Sequence, residues 1–200
     1  MREKSQAGLV LTHGAGGNSK APLLLELDEA FTAAGFRVVR HDLAFRQKRP
    51  SGPPSPSGAA ADRAGLREAV AELRGQVAGP VFLGGHSYGG RQSTMLAAEE
   101  NGLVDGLLLL SYPLHPPGKP QQLRTAHFPA LRTPAVFVHG TKDDFATPDE
   151  LRAALTLIPA PTELILLEGA GHDLKKGRAA AIEAVLKTEL FARVSRTGID

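Results

Sequence analysis

Two hundred residues with 42% hydrophobic content suit one compact domain over residues 1–200, with a sizeable core and no room for a separately packed cap. The absence of cysteine excludes disulfides, thiolate catalysis and cysteine-based zinc sites, and fits a reducing, cytoplasmic setting. A formal net charge of +2 lacks the one-sided balance of a nucleic-acid binder, and no apolar run approaches a signal peptide's core or the ~18 residues of a membrane span, so neither partner is expected.

The first apolar run, GLVLT at 8–12, has strand length, and a helix follows from Pro22 through Leu23, Leu24, Leu27 and Phe31 to a stop at Gly35. A second strand is expected at 36–40 (FRVVR), after which RQKRPSGPPSPSG at 46–58 reads as an irregular basic loop. A helix over about 61–77 carries Leu66, Ala69, Val70 and Leu73 at helical spacing and leads to a strand at 81–85 (VFLGG) and the helical segment RQSTMLAAEE. The fourth strand, 104–111 (VDGLLLLS), opens onto a second proline-rich excursion at 111–133, and AVFVH at 135–139 is the fifth. Thr147-Pro148-Asp149-Glu150 reads as a capping box that starts a helix through Leu151, Leu155 and Ile158. ELILLE at 163–168 is the sixth strand, and a last helix is expected over 180–194. This βαβα order, with nearly continuous Val, Leu and Ile in most strands, predicts an α/β fold whose parallel sheet is covered by helices on both faces.

The sharpest chemical signal is GHSYGG at 85–90, set between the third strand and the helix after it. A Gly-x-Ser-x-Gly turn forces strained backbone at the serine, and side chains two residues away would clash, so Gly85 and Gly89 lift the hydroxyl of Ser87 above the sheet edge. A serine needs a base within reach, itself oriented by a carboxylate. GTKDD after the fifth strand supplies Asp143 and Asp144, and GAGHDL after the sixth supplies His172. Spacing selects Asp143 over Asp144, and parallel strands bring all three loops to one edge of the sheet.

HGAGGNS at 13–19 follows the first strand, and the backbone N–H groups of Ala15 and Tyr88 are the expected oxyanion donors. Its glycines do not make a phosphate loop, since no Gly-Lys-Ser/Thr follows and the GxGxxG spacing is absent. His13 and His139 are expected to shape turns, whereas His41, His115 and His127 have no matched partner. His139 and Asp143 have no third ligand at metal spacing, so neither a metal nor another cofactor is expected.

From Leu9 to about Val194 the chain resembles an α/β-hydrolase: HGAGG, GHSYGG, GTKDD and GAGH are similar to the superfamily's oxyanion, nucleophile, acid and histidine loops. The resemblance implies a three-layer α/β/α sandwich with six strands, mostly parallel, in spatial order 2-1-3-4-5-6, lacking the N-terminal hairpin and a cap. More narrowly, HGAGGNS, GGHSYGGR and SYPLHPPGKPQQLRTAHFPAL resemble a compact bacterial subgroup. That subgroup is similar to dienelactone hydrolases and to a hydrolase-like domain in a subunit of the nonspecific-lethal histone-acetyltransferase complex, and some of its members serve as scaffolds.

Two functions follow. One is a serine hydrolase acting on a small carboxylic ester, with amides and thioesters as second choices, in a monomer or weak homodimer; a dehalogenase or epoxide hydrolase would want Asp at position 87. The other is an interaction module with lapsed chemistry, docking through SYPLHPP and HFPAL. For the enzyme, an open, shallow cleft is expected, walled by Tyr112, Leu114, Pro116, Pro117 and Phe128, with Arg46, Lys48 and Arg49 near the opposite rim. The alternatives for these residues are ordinary packing over the sheet edge and a solvated basic face.

Overall fold

The structure, a computed structural model, describes residues 7–196; residues 1–6 and 197–200 of the expected domain lie outside the described residues. Six strands, β1 (Ala7–Thr12), β2 (Phe36–His41), β3 (Val81–His86), β4 (Gly106–Leu110), β5 (Ala135–Gly140) and β6 (Thr162–Leu167), form one sheet in the order β2-β1-β3-β4-β5-β6. Every neighbouring pair is parallel, with Thr12 opposite both His41 and Gly85, and Leu110 opposite both His86 and Val138. The carboxyl ends therefore finish together, and the loops that leave them share one edge.

Because side chains alternate along a strand, each strand feeds both faces. Val10, Leu83, Leu109 and Phe137 pack against Leu66, Val70 and Leu73 of α3 (Ala59–Arg74), Leu96 of α4 (Tyr88–Glu99) and Leu151 of α5 (Pro148–Leu155). Leu9, Leu11, Phe82, Leu108 and Val136 pack on the other face against α1 (Pro22–Ala33), α6 (Arg178–Lys187) and α7 (Glu189–Arg196). The three expected layers are present. The α5 capping box is complete: Thr147 Oγ1 accepts from Glu150 N–H at 3.2 Å, and Glu150 Oε2 accepts from Thr147 N–H at 2.8 Å.

Three expectations need correction. The last helix is two, broken at Thr188, whose extended backbone lets its hydroxyl donate to the Val185 carbonyl at 2.7 Å while its own carbonyl accepts from Phe191 and Ala192 N–H. The break turns Phe191 into an aromatic cluster, 4.9 Å from the Phe82 ring and 5.3 Å from that of Phe31.

The basic loop is not irregular throughout: α2 (Ala44–Lys48) and a 3₁₀ turn (Pro56–Gly58) lie within or beside it. The excursion after β4 folds down rather than forming a wall. Tyr112, Leu114 and Phe128 are fully buried in the core, with the Tyr112 ring 5.3 Å from Phe128 and 6.0 Å from Phe137. The Tyr112 hydroxyl donates to the Arg124 carbonyl at 2.7 Å, which pins the return of the segment.

Candidate active site

The chain passes from β3 into α4 within one residue. Ser87 takes up that turn with φ 51° and ψ −116°, a left-handed conformation costly for a residue bearing Cβ, and its N–H is anchored on the Leu110 carbonyl at 2.8 Å. The flanking glycines are obligatory on steric grounds. A Cβ on Gly85 would lie 2.5 Å from the Gly89 carbonyl carbon, and one on Gly89 would lie 2.5 Å from the His13 carbonyl oxygen.

Ser87, His172 and Asp143 are brought together as the sequence predicts. Ser87 Oγ lies 2.8 Å from His172 Nε2, and His172 Nδ1 lies 2.8 and 3.0 Å from the two carboxylate oxygens of Asp143. The carboxylate fixes the proton on Nδ1, so Nε2 presents its lone pair to the serine hydroxyl. Asp144 is exposed, whereas the Asp143 side chain is fully buried and also accepts from Phe145 N–H at 2.9 Å. Burial alone raises a carboxyl pKa; the bond and charge of His172, the Phe145 N–H and the charge of His139 outweigh it and hold Asp143 below its ordinary value. His139 sits behind the carboxylate with Nδ1 3.8 Å from Asp143 Oδ2, and its Nε2 donates to the Ala146 carbonyl at 2.8 Å.

Two contacts steady His172. Phe145 stacks on its ring at 4.1 Å, and His86 Nε2 donates to its carbonyl at 2.8 Å. Burial drives the His86 pKa down to about 4, so this second imidazole in the cleft is neutral at neutral pH. Burial likewise lowers His13 and His41, and takes His127 down to about 4.

The loop after β1 makes a tight turn in which Gly17 N–H donates to the Gly14 carbonyl at 3.1 Å. His13 Nδ1 donates to the same carbonyl at 2.8 Å, and its Nε2 accepts from Leu43 N–H at 3.1 Å, a pairing that settles the tautomer. Across a planar trans peptide the carbonyl and the following N–H point oppositely, so holding Gly14 C=O aims Ala15 N–H away from His13. Neither Ala15 N–H nor Tyr88 N–H is taken up by another group among the described residues. A Cβ on Gly14 would lie 3.3 Å from Ser87 Cβ and 2.9 Å from His86 Nδ1, so only glycine lets the loop come this close.

These residues open into a cleft of about 420 Å³, walled mainly by Ala15, Ala21, Pro22, Leu23, Leu24 and Phe145, with Asp173 and Arg178 beside His172. The cleft runs toward α1 and α6. None of Tyr112, Leu114, Pro116, Pro117 or Phe128 lines it: Tyr112, Leu114 and Phe128 have packed into the core on the opposite face, and Pro117 is exposed away from the cleft. Lys48 and Arg49 are exposed away from the cleft, and Arg46, expected at the rim, is buried and turned inward.

Sequence reasoning passed over His86 and Phe145, each next to a recognised residue, and Asp62. The last, fully buried, accepts from the Tyr88 hydroxyl at 2.7 Å and from Phe45 N–H at 3.0 Å, tying the start of α4 to α2 and α3. Among the described residues no cluster of three metal-ligating side chains occurs, and no helix is long and apolar enough to cross a membrane.

Solved structures similar to this chain include an alpha-beta serine hydrolase homologue from Coxiella burnetii, at 19% identity and a TM-score of 0.74, covering 96% of this chain and 86% of that one. A monoacylglycerol lipase from Paleococcus ferrophilus has 16% identity and a TM-score of 0.76, covering 92% and 94% of the respective chains. The protein XC6422 from Xanthomonas campestris, described as an a/b serine hydrolase without lid, has 17% identity and a TM-score of 0.71, covering 92% and 82%. At these identities the likeness is one of fold. The family described as "Alpha/beta hydrolase domain" matches residues 5–197, nearly the whole chain, and the protein belongs to that family.

Proposed function

We propose that the protein is a serine hydrolase that cleaves small carboxylic esters through an acyl-enzyme. The observation that carries this reading is the continuous hydrogen-bonded chain from Ser87 through His172 to the buried carboxylate of Asp143, with Ser87 facing an open cleft. His172 Nε2 takes the Ser87 proton as Oγ bonds to the substrate carbonyl carbon, and Asp143 stabilises the imidazolium that forms. The carbonyl oxygen gains negative charge, which Ala15 and Tyr88 N–H receive. Collapse expels the alcohol, protonated by His172, and leaves the acyl group on Ser87. Water, deprotonated by the same imidazole, then attacks the ester and releases the acid and free serine.

Against the competing docking role stands the burial in the core of Tyr112, Leu114, Phe128 and Leu131, the large apolar side chains of the two candidate segments. The chain's lack of cysteine supports a reducing compartment, and we assign the enzyme to the cytoplasm.

Labelling with a fluorophosphonate probe tests the reading directly. Ser87→Ala is expected to fold, to take no label and to lose about 10⁴-fold or more in kcat on p-nitrophenyl acetate; an active, labelled Ser87→Ala protein sinks the assignment. Because Asp143 touches His172 and Asp144 faces solvent, Asp143→Asn should lower kcat by about 10⁴-fold and Asp144→Asn by no more than about twofold. Equal losses in the two variants would remove Asp143 from the orienting role. Finally, each methylene that finds no cover forgoes ~0.8 kcal/mol, so kcat/KM along a series of p-nitrophenyl esters should peak at short acyl chains in this open cleft. An optimum among long-chain esters would contradict the expected substrate size.

A further inference from the structure

We propose that Arg46 is a positioning residue for the oxyanion loop, its buried guanidinium clamping the carbonyls of Ala15 and Gly17 so that Ala15 N–H is held ready for the developing oxyanion. The inference rests on the hydrolase reading above.

The loop from Gly14 to Gly17 contains three glycines and has little stiffness of its own, so the direction of Ala15 N–H depends on ties from outside. His13 supplies one through the Gly14 carbonyl, which orients the peptide before Ala15. Arg46 supplies the other. Its Nη2 donates to the Ala15 carbonyl at 2.9 Å, orienting the peptide after Ala15, and its Nε donates to the Gly17 carbonyl at 2.8 Å. Both peptide planes flanking the proposed donor are thus fixed by side chains.

The clamp is itself held. Nη1 donates to the Arg49 carbonyl at 3.3 Å and Nη2 to that of Gly52 at 3.2 Å, so the guanidinium spans its own loop and the glycine loop at once. The guanidinium carbon lies 4.9 Å above the Phe45 ring, whose edges reach the rings of His13 at 5.7 Å and Tyr88 at 5.8 Å. One aromatic side chain therefore connects the clamp to both halves of the oxyanion site.

Arg46 is only 7% exposed, and no carboxylate pairs with it among the described residues. Burying a cation against neutral carbonyls is costly where a neutral residue would pack as well. Here the positive charge stands directly behind the peptides that face the reacting oxygen, where it polarises their N–H groups and favours negative charge in front of them. A lysine lacks the planar fork that reaches carbonyls on two sides.

The test compares wild type, Arg46→Ala and Arg46→Lys on p-nitrophenyl acetate, with the affinity of an arylboronic acid, whose tetrahedral adduct places an oxygen in the same hole, and with thermal unfolding as a fold check. Arg46→Ala is expected to lose about 10- to 100-fold in kcat, with KM changed by no more than about threefold and boronate affinity falling in the same proportion as kcat. Added guanidinium ion should restore part of the loss, and Arg46→Lys should fall between the two. A merely structural role would lower the unfolding temperature without this kcat-selective loss. Wild-type kcat in Arg46→Ala, or a loss confined to KM with boronate affinity unchanged, would overturn the proposal; if Arg46→Ala does not fold, Arg46→Lys is judged by the same criteria. A wild-type protein that neither hydrolyses esters nor takes the fluorophosphonate overturns the hydrolase reading itself, whereas an active wild type matched by Arg46→Ala removes the clamp alone.

Discussion

The site depends on loops that approach one another backbone to backbone, and the contact between Gly89 and the carbonyl of His13 is the one that joins the turn at Ser87 to the loop after β1. With no side chain at Gly89, the first turn of α4 rests directly on the loop leaving β1. That contact sets the spacing between Tyr88 N–H on one side and Ala15 N–H on the other. A methyl group here would push the two loops apart. The strain at Ser87 persists because its N–H is anchored on β4 and because both flanking residues are glycine.

A similar approach joins the other two loops. A Cβ on Gly140 would lie 2.3 Å from the Ala170 carbonyl, so the ends of β5 and β6 touch backbone to backbone, and Lys142 N–H donates to Ala170 O at 2.9 Å. Asp143 and His172 are therefore held by main chain before their side chains meet. The carboxyl group is held below its ordinary pKa in a buried place because imidazoles and a backbone N–H surround it. His86 and Phe145 then restrict the ring of His172 from two sides.

Most of this was legible because it is local. The elbow, the acid loop and the histidine loop each declare themselves by glycine beside a reactive side chain, and the register of parallel strands carries them to one edge without further instruction. What escaped notice involves partners that have no sequence identity. Arg46 bonds four backbone carbonyls, so in a proline-rich stretch beside Lys48 and Arg49 it reads as one more solvated charge. Tyr112, Leu114 and Phe128 suit a cleft wall and a core equally, and only the fold of the excursion after β4 decides between them. Thr188 interrupts an otherwise helical pattern through a hydroxyl bond that periodicity does not register.

The buried imidazoles have a consequence for the conditions under which the molecule can exist. His13, His41, His86 and His127 are all held neutral in the folded chain, the last two with pKa values of about 4, whereas in an unfolded chain each titrates near 6.5. Between those values the unfolded chain binds more protons, so acid draws the equilibrium toward unfolding and the denaturant midpoint rises with pH across that interval. The buried imidazoles thus give the protein an acid floor: acidification weakens the fold from within, at side chains that burial keeps neutral in the native state.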